Sequence, residues 1–297
     1  MPLWINPFRY ADYISGTPFY VWSGINFGRN KIAMEIDVNS RKREEAAFHN
    51  ELRSESLKEE QSRYKYLTSN KKYYSIVRKS HVFVDRWLRQ RCCGKRALDY
   101  CCGNGENAIF MAKNGAESTG IDISDVSIEN CKKNAIREGV SNSTSFLVMD
   151  AENMKFEDNH FDVVVCSGVL HHLDIGKAFR ELARIVTPSG EIICIEPLRY
   201  NPLIQLYRRM TPHLRTQWEM EHILTMRDLE GAKKYFGKTE SNFFHLFTLL
   251  AVPFRNSYVF NSLLGIFEGI DSALLRLPFL KLMAWQVVFI LSRPKKF

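Results

Sequence analysis

Residues 97–106, ALDYCCGNGE, lead from a short apolar segment into an acidic turn that contains two glycines. The next residues, AIFMA at 108–112, continue with apolar side chains at helical spacing. Gly103 and Gly105 carry no Cβ, so the turn can adopt positive φ and allow a ligand to approach the backbone. In open parallel sheets, ligands bind where a strand ends and the following helix begins. The stretch therefore predicts a strand, a ligand-binding turn and a helix.

The same alternation of strand and helix patterns continues to residue 196. Near-continuous apolar strands that alternate with helices are typical of a parallel sheet covered on both faces. We therefore predict an α/β fold with a doubly wound, Rossmann-like sheet. The predicted strands are 96–101, 117–122, 145–149, 161–167 and 190–196, and the predicted helices are 105–114, 125–138 and 176–186.

The flanking segments depart from this alternation. We expect an N-terminal arm with cap helices over 1–91, and one main domain over 92–297 with helical insertions at about 197–240 and 251–283. Residues 1–33 are aromatic-rich and show no period. Helices are predicted at 41–67, 72–90, 201–214, 226–235 and 257–283, and strands at 241–250 and 285–292, the last of them antiparallel.

Charge is unevenly distributed along the chain. The formal net charge of +8 divides into +7 over residues 1–91, −6 over 92–197 and +7 over 198–297. Basic flanks are consistent with an anionic substrate, a nucleic acid or a membrane surface, although solvated basic faces are the more common explanation. The sequence has no nucleic-acid-binding module beside the central domain, so we expect no nucleic-acid partner.

The seven cysteines all lie between residues 92 and 194 and lack Cys-x-x-Cys spacing. An odd number of scattered cysteines indicates reduced thiols, and we predict no metal site and a cytoplasmic location. The N-terminal residues lack the pattern of a secretory signal. No apolar run approaches the length of about 18 residues that a membrane-spanning helix requires.

Acidic residues occupy the ends of three successive predicted strands. Asp99 ends the first, Asp122 ends the second in the stretch GID, and Asp150 follows the third. A carboxylate after the second strand can accept hydrogen bonds from a ribose diol, and one after the third can accept from an adenine amine. Three acids at one edge disfavour a phosphate, so the pattern favours a phosphate-free adenosine ligand.

Four motifs together carry a family resemblance: LDYCCGNGE at 98–106, GIDIS at 120–124, MDAENMKFEDNHFDVVVCSGVLHHL at 149–173 and ARIVTPSGEIICIEP at 183–197. In order and spacing they resemble class I S-adenosylmethionine-dependent methyltransferases of the small-molecule type. The resemblance implies this cofactor, and Cys101 replaces the family's usual first glycine, a change we expect binding to tolerate. The cofactor-binding residues that it implies are Asp99, Cys101, Gly103, Gly105, Asp122, Ile123, Asp150, Ala151 and Ser167.

Histidines supply the candidate bases. His171 and His172 follow the fourth strand, where imidazole can act as a general base, and structural packing is the alternative. His49 lies on a predicted helix that, by resemblance, can close over the cofactor, or its side chain is simply solvated. Glu196, Arg199 and His222 are candidates for the substrate pocket, with strand-end capping and a solvated basic helix as alternatives.

We expect the methyl acceptor to be a small molecule, lipophilic or anionic, and we favour O-methylation. The apolar segment 257–283 and the basic C-terminus predict a lid over the pocket or a peripheral membrane contact. Alternative functions are a non-catalytic cofactor-binding subunit, a membrane-peripheral methyltransferase of a lipid or quinone, and a scaffold or interaction protein. The sequence leaves the oligomeric state open.

Overall fold

The structure, a computed structural model, describes residues 38–53, 71–211 and 215–296. The predicted arm at 1–33 and the part of the predicted helix 41–67 beyond Arg53 lie outside these residues. The helices are α1 Val38–Arg53, α2 Lys71–Tyr74, α3 Arg78–Arg89, α4 Glu106–Lys113, α5 Asp125–Arg137, α6 Ile175–Ile185, α7 Pro202–Met210, α8 Gln217–Glu221, α9 Met226–Gly231, α10 Phe260–Leu274 and α11 Pro278–Leu282. The strands are β1 Arg96–Tyr100, β2 Glu117–Asp122, β3 Thr144–Val148, β4 Phe161–Ser167, β5 Val186–Pro197, β6 Phe236–Phe244 and β7 Gln286–Pro294.

The strands form one seven-stranded sheet in the order β3-β2-β1-β4-β5-β7-β6. The pairs among β1 to β5 are parallel, and β7 is antiparallel to both of its neighbours. The strand order reverses between β1 and β4, which places a crevice at the carboxyl ends of these strands. The α/β fold with a final antiparallel strand is therefore confirmed.

Local sequence signals start the helices that follow the strands. Gly105 precedes α4 in the left-handed conformation, with φ of 80°. The side chains of Ser124 and Asp174 cap α5 and α6, because they accept hydrogen bonds from backbone N–H groups of the first helical turn. These turns hold the residues that follow β1, β2 and β4 at one edge of the sheet.

Apolar clusters cover both faces of the sheet. On one face, α6 packs its Phe179 and Leu182 against β4 and β5. On the other, Trp87 and Leu88 of α3 pack against residues of β4, β5 and β7. Helix α3 thus belongs to the core of the sheet although it precedes residue 92, and the predicted domain boundary there stays a prediction.

A third apolar cluster joins the segments outside the central alternation. It combines Ile76 and Val77 with Ile204 of α7, Leu264 of α10 and Trp285. This cluster brings residues that are far apart in sequence over the carboxyl edge of the sheet.

Several predicted elements differ from the structure. The strand predicted at 241–250 lies at Phe236–Phe244, because the apolar run Phe247–Phe254 forms 3₁₀ turns buried in the third cluster. The edge strand β6 is largely polar, so its apolar signal is weak. The helices predicted at 72–90 and 257–283 are each divided in two, and Ala232–Lys234 forms a 3₁₀ turn after α9. Within the described residues, every helix is too short or too polar to cross a bilayer.

Candidate functional site

A cavity lies at the carboxyl ends of the parallel strands and under α1. One part of it, here called the strand-end half, is lined by residues that follow β1 to β4. The other part, the aromatic half, is lined by side chains of the flanking segments. The strand-end half contains Cys101, Asp122, Ile123, Asp150, Ala151 and Ser167, and the aromatic half contains Tyr73, Tyr74, Tyr207, Arg208 and Trp285.

The turn after β1 has an unusual backbone. Cys101, Gly103 and Gly105 have φ values of 57°, 55° and 80°. Left-handed backbone is free of Cβ strain in glycine but costs roughly 1–2 kcal/mol in other residues. Cys101 adopts the conformation that a glycine would favour, and its side chain lies at the cavity wall.

Asp99 stabilises this turn through hydrogen bonds to the start of α4, and it does not line the cavity. The carboxylate is buried, and its Oδ2 accepts a hydrogen bond of 3.0 Å from the backbone N–H of Ala108. A second contact of 3.4 Å joins Asp99 Oδ1 to Asn107 Nδ2. Asp99 therefore fixes the first turn of α4, and neither Gly103 nor Gly105 is among the lining residues.

Asp122 is oriented towards the cavity by backbone donors. Its Oδ1 accepts from the N–H of Ser124 and its Oδ2 from the N–H of Gly103, each at 2.9 Å. Arg53 of α1 lies 3.6 Å from Oδ2. The carboxylate is 4% exposed, and its orientation is set by two turns of the sheet edge.

Helix α1 places further cations against the acids that follow β3. Lys42 Nζ lies 2.6 Å from Asp150 Oδ2 and 3.2 Å from Glu152 Oε2. Although burial lowers it, the nearby Asp150 and Glu152 raise the pKa of Lys42 above its ordinary value. Arg41 pairs with the buried Glu152. Helix α1 is thus fixed over the strand-end half by ion pairs.

His171 and Glu196 form a buried pair between the two halves. Glu196 Oε2 lies 2.7 Å from His171 Nδ1, and Glu196 Oε1 accepts from the N–H groups of Val169 and Leu170. Glu196 is fully buried and His171 lines the cavity. A proton on Nδ1 directed at Glu196 leaves the other ring nitrogen as an acceptor.

His49 and His172 also line the cavity, and Glu45 lies between them. Glu45 Oε2 is 3.2 Å from His172 Nδ1 and 3.5 Å from His49 Nε2. Although burial lowers it, Glu45 raises the pKa of His172 to about 9. Burial, together with the nearby Arg53, lowers the pKa of His49. The pKa values of the two histidines are therefore shifted in opposite directions although the two side chains share one carboxylate.

The aromatic half combines rings packed edge to face with a buried guanidinium. The ring centroid of Tyr73 lies 4.8 Å from that of Tyr207 and 5.7 Å from that of Trp285. Arg208 is 8% exposed, and burial lowers its pKa to about 10. Within 38–53, 71–211 and 215–296 the Arg208 guanidinium is in no ion pair and its Nη1 makes no hydrogen bond, although the Glu219 carboxylate favours its charged form from a longer distance.

None of the three predicted pocket residues lines the cavity, and the fully buried Glu196 instead contacts His171. Arg199 is exposed and donates to the carbonyl oxygen of Glu221, and His222 is exposed and stacks on Trp218 at 3.6 Å. The sequence analysis missed Glu45 and the aromatic lining. The spacing of Glu45 and His49, four residues apart on a helix, was a signal that both side chains share one face. Arg208 lies in the basic stretch 196–222, whose arginines can hold a carboxylate or phosphate, with a solvated basic helix face as the alternative.

A family model described as a methyltransferase domain matches residues 98–194. The chain is 39% identical over 101 residues to the 27-O-demethylrifamycin SV methyltransferase of Amycolatopsis mediterranei (strain S699), which covers 33% of this chain and 37% of that protein. It is 33% identical over 139 residues to the demethylmenaquinone methyltransferase of Staphylococcus aureus (strain MRSA252), which covers 45% of this chain and 54% of that protein. The chain thus spans about half the length, or less, of these curated relatives.

A solved structure of geranyl diphosphate C-methyltransferase from Streptomyces coelicolor A3(2), in complex with Mg²⁺, geranyl diphosphate and S-adenosyl-L-homocysteine, has a similar fold. Its TM-score is 0.53 at 11% identity, over 85% of this chain and 98% of that chain. At this identity the likeness concerns the fold alone. The family match confirms the resemblance carried by the four motifs: residues 98–194 match a methyltransferase domain.

Proposed function

We propose that this protein is an S-adenosylmethionine-dependent methyltransferase that acts on a small molecule. The observation that carries the proposal is the strand-end half of the cavity, which continues without a wall into the aromatic half. Relatives whose names describe methyl transfer to small molecules support it. The strand-end half can hold the methyl donor, and the aromatic half can hold the methyl acceptor.

The donor set of the strand-end half fits this cofactor. Asp122 presents a carboxylate already oriented by two backbone N–H groups, which suits a ribose diol. Asp150 lies at the next strand end, where a carboxylate can accept from an adenine amine. Gly103 and Gly105 do not line the cavity, so the fit depends on the two carboxylates and on Cys101, Ile123 and Ala151 of the lining.

When bound, the cofactor supplies an electrophilic methyl group on a positively charged sulfur. The task of the chain is to align the acceptor with that group and to exclude water. Ser167, at the end of β4, and His171 lie where the two halves meet. Helix α1, held by its ion pairs to Asp150 and Glu152, covers the site.

The aromatic half favours an acceptor with an aromatic or apolar body and an anionic group. Tyr73, Tyr207 and Trp285 offer ring surfaces, and the buried Arg208 can form charge-assisted hydrogen bonds with a carboxylate or phosphate. A buried charge without a partner is costly, and a bound anion would offset that cost. The geometry of His171 and Glu196 supports a base, as O-methylation of a hydroxyl requires.

The proposal is tested by calorimetric titration of the purified chain with S-adenosylmethionine and S-adenosylhomocysteine. We expect saturable binding that the Asp122→Asn substitution weakens by at least about 10-fold, because each hydrogen bond to a charged group contributes about 1.5–3 kcal/mol. Asp158→Asn, at an exposed acid outside the cavity, is the matched control. A folded wild-type chain that binds neither compound would overturn the proposal.

A second proposal concerns the peripheral membrane contact predicted for residues 257–283. Tyr258 and Phe279 are 98% and 85% exposed, which supports an apolar surface in this segment. Such a contact would suit a lipophilic acceptor. Co-sedimentation with anionic liposomes tests it, and a Phe279→Ser variant that sediments as much as the wild type would contradict it.

A further inference from the structure

Glu45, His49 and His172 form a compact cluster in the cavity wall. Glu45 and His49 lie one turn apart on α1, and His172 comes from the 3₁₀ turn after β4. One ligand atom from each of the three residues can be chosen so that all lie within 4.8 Å of one another. The cluster joins two segments that are more than a hundred residues apart in sequence.

The two separations that Glu45 makes within the cluster match those of neighbouring ligands around one metal ion. Nitrogen and oxygen ligands lie about 2.0–2.2 Å from a transition metal, which places neighbouring ligand atoms roughly 3.0–3.5 Å apart in octahedral or tetrahedral geometry. Glu45 Oε2 lies 3.2 Å from His172 Nδ1 and 3.5 Å from His49 Nε2. Both distances fall in that range without any movement of the side chains.

A second observation is that two of these atoms are buried and make no hydrogen bond. Glu45 is 7% exposed, and its Oε2 and His172 Nδ1 lie 3.2 Å apart as an ion pair, although neither atom makes a well-aligned hydrogen bond among the described residues. Buried polar atoms in folded proteins are nearly always satisfied. A metal ion between them would displace the proton of this pair and coordinate both atoms at once.

The other carboxylate oxygen of Glu45 is held in place. Thr216 Oγ1 donates a hydrogen bond of 2.8 Å to Glu45 Oε1. Outer contacts of this kind orient the ligands of metal sites. The contact leaves Oε2 as the atom that faces the two imidazoles.

We propose that Glu45, His49 and His172 bind a divalent transition-metal ion. Two imidazoles and one carboxylate suit Zn²⁺, Fe²⁺, Co²⁺, Ni²⁺ or Mn²⁺ better than Mg²⁺ or Ca²⁺, which prefer oxygen ligands. Three protein ligands leave coordination positions open towards the cavity, where a hydroxyl or carboxylate of the acceptor can bind. This role in orienting the acceptor rests on the proposed function, whereas binding of the ion does not.

The test is a titration of the metal-free full chain with Co²⁺, followed by visible absorption, and with Zn²⁺, followed by calorimetry. We expect one ion per chain and at least a 100-fold loss of affinity in each of Glu45→Gln, His49→Gln and His172→Gln. His222→Gln is the matched control, because that histidine is exposed and outside the cavity. Failure of a folded wild-type chain to bind either ion, or tight binding that survives the loss of His49 and His172 together, would overturn the proposal.

A second measurement keeps the proposal testable if a variant unfolds. Electron paramagnetic resonance of the wild-type chain with one equivalent of Cu²⁺ should show coupling to two imidazole nitrogens, and a spectrum without nitrogen coupling would overturn the assignment. Titration of metal-free protein with S-adenosylmethionine separates this proposal from the proposed function. Cofactor binding without metal binding overturns the metal site only, and the reverse result overturns the methyltransferase proposal only.

Discussion

The two halves of the cavity are built in different ways. The strand-end half comes from one continuous stretch of alternating strands and helices, within the residues that match the methyltransferase domain. The aromatic half is assembled from Tyr73, Tyr207, Arg208 and Trp285, all of which lie outside that match. The comparison teaches that the strand-end half, where we propose that the donor binds, lies within the matched domain, whereas the aromatic half, where we propose that the acceptor binds, depends on segments outside it.

The two halves also differ in how their charged side chains are paired. The acids of the strand-end half are met by cations of α1, with Lys42 on Asp150 and Arg53 near Asp122. In the aromatic half, Arg208 has no such partner among the described residues. The acids of the strand-end half are therefore paired with cations of the chain itself, whereas Arg208 in the aromatic half is suited to pairing with an anionic ligand.

The largest expected effect comes from substituting His171, the proposed general base. His171→Gln should lower kcat by about 10²–10⁴-fold, because it removes the proposed general base. Affinity for S-adenosylmethionine should stay within a few-fold, since the strand-end half is intact. Steady-state kinetics with an acceptor and calorimetry with the cofactor measure the two effects.

His160→Gln is the control for this change, because His160 lies outside the cavity. Glu196→Gln should also lower kcat, since Glu196 orients the imidazole. An unchanged kcat in His171→Gln would mean that the acceptor needs no base, and O-methylation would then be the wrong reaction.

An intermediate effect is expected in the aromatic half. Arg208→Gln should raise KM for an anionic acceptor by roughly 10–100-fold, as hydrogen bonds to charged groups contribute about 1.5–3 kcal/mol. Cofactor affinity should be unchanged. The melting temperature should stay the same or rise, because the substitution removes a buried charge without an ion-pair partner among the described residues.

Arg209→Gln is the matched control, because the neighbouring arginine is exposed. An Arg208→Gln variant with normal KM, or one that unfolds at lower temperature, would show that the guanidinium serves the fold and not the acceptor. Either result would remove the electrostatic difference between the halves.

The smallest effect concerns the turn after β1. Cys101→Gly relieves left-handed strain of about 1–2 kcal/mol, but glycine adds back about 0.5–1 kcal/mol through the flexibility of the unfolded chain. We expect the free energy of unfolding to change by about 1 kcal/mol or less and cofactor affinity to change by less than about 3-fold. Denaturant unfolding and calorimetry check both values. A gain in affinity beyond about 10-fold would favour the alternative of a poorly binding, non-catalytic subunit.

The sequence was most informative where local patterns, such as strand periodicity and glycine turns, determine the secondary structure. Alternating apolar runs and glycine turns were enough to predict β1 to β4 and the acids Asp99, Asp122 and Asp150 near the ends of β1, β2 and β3. It was least informative at β6, where a polar edge strand gave little signal and the apolar run after it went into buried 3₁₀ turns. The roles of the predicted site residues stay predictions, although the structure brings His49, His171 and His172 to the cavity lining and leaves Glu196, Arg199 and His222 out of it.

The amino-acid sequence by itself determined the α/β sheet, its family and the acids at the strand ends, because strand periodicity and turn chemistry act between residues close along the chain. Only the tertiary structure decided which side chains meet across the cavity. Glu45 and His49 reach His172, and Tyr73 reaches Trp285, because α1 and the third apolar cluster fold over the sheet. Such contacts depend on how segments distant in sequence pack together. The local spacing of residues along the chain does not predict that packing.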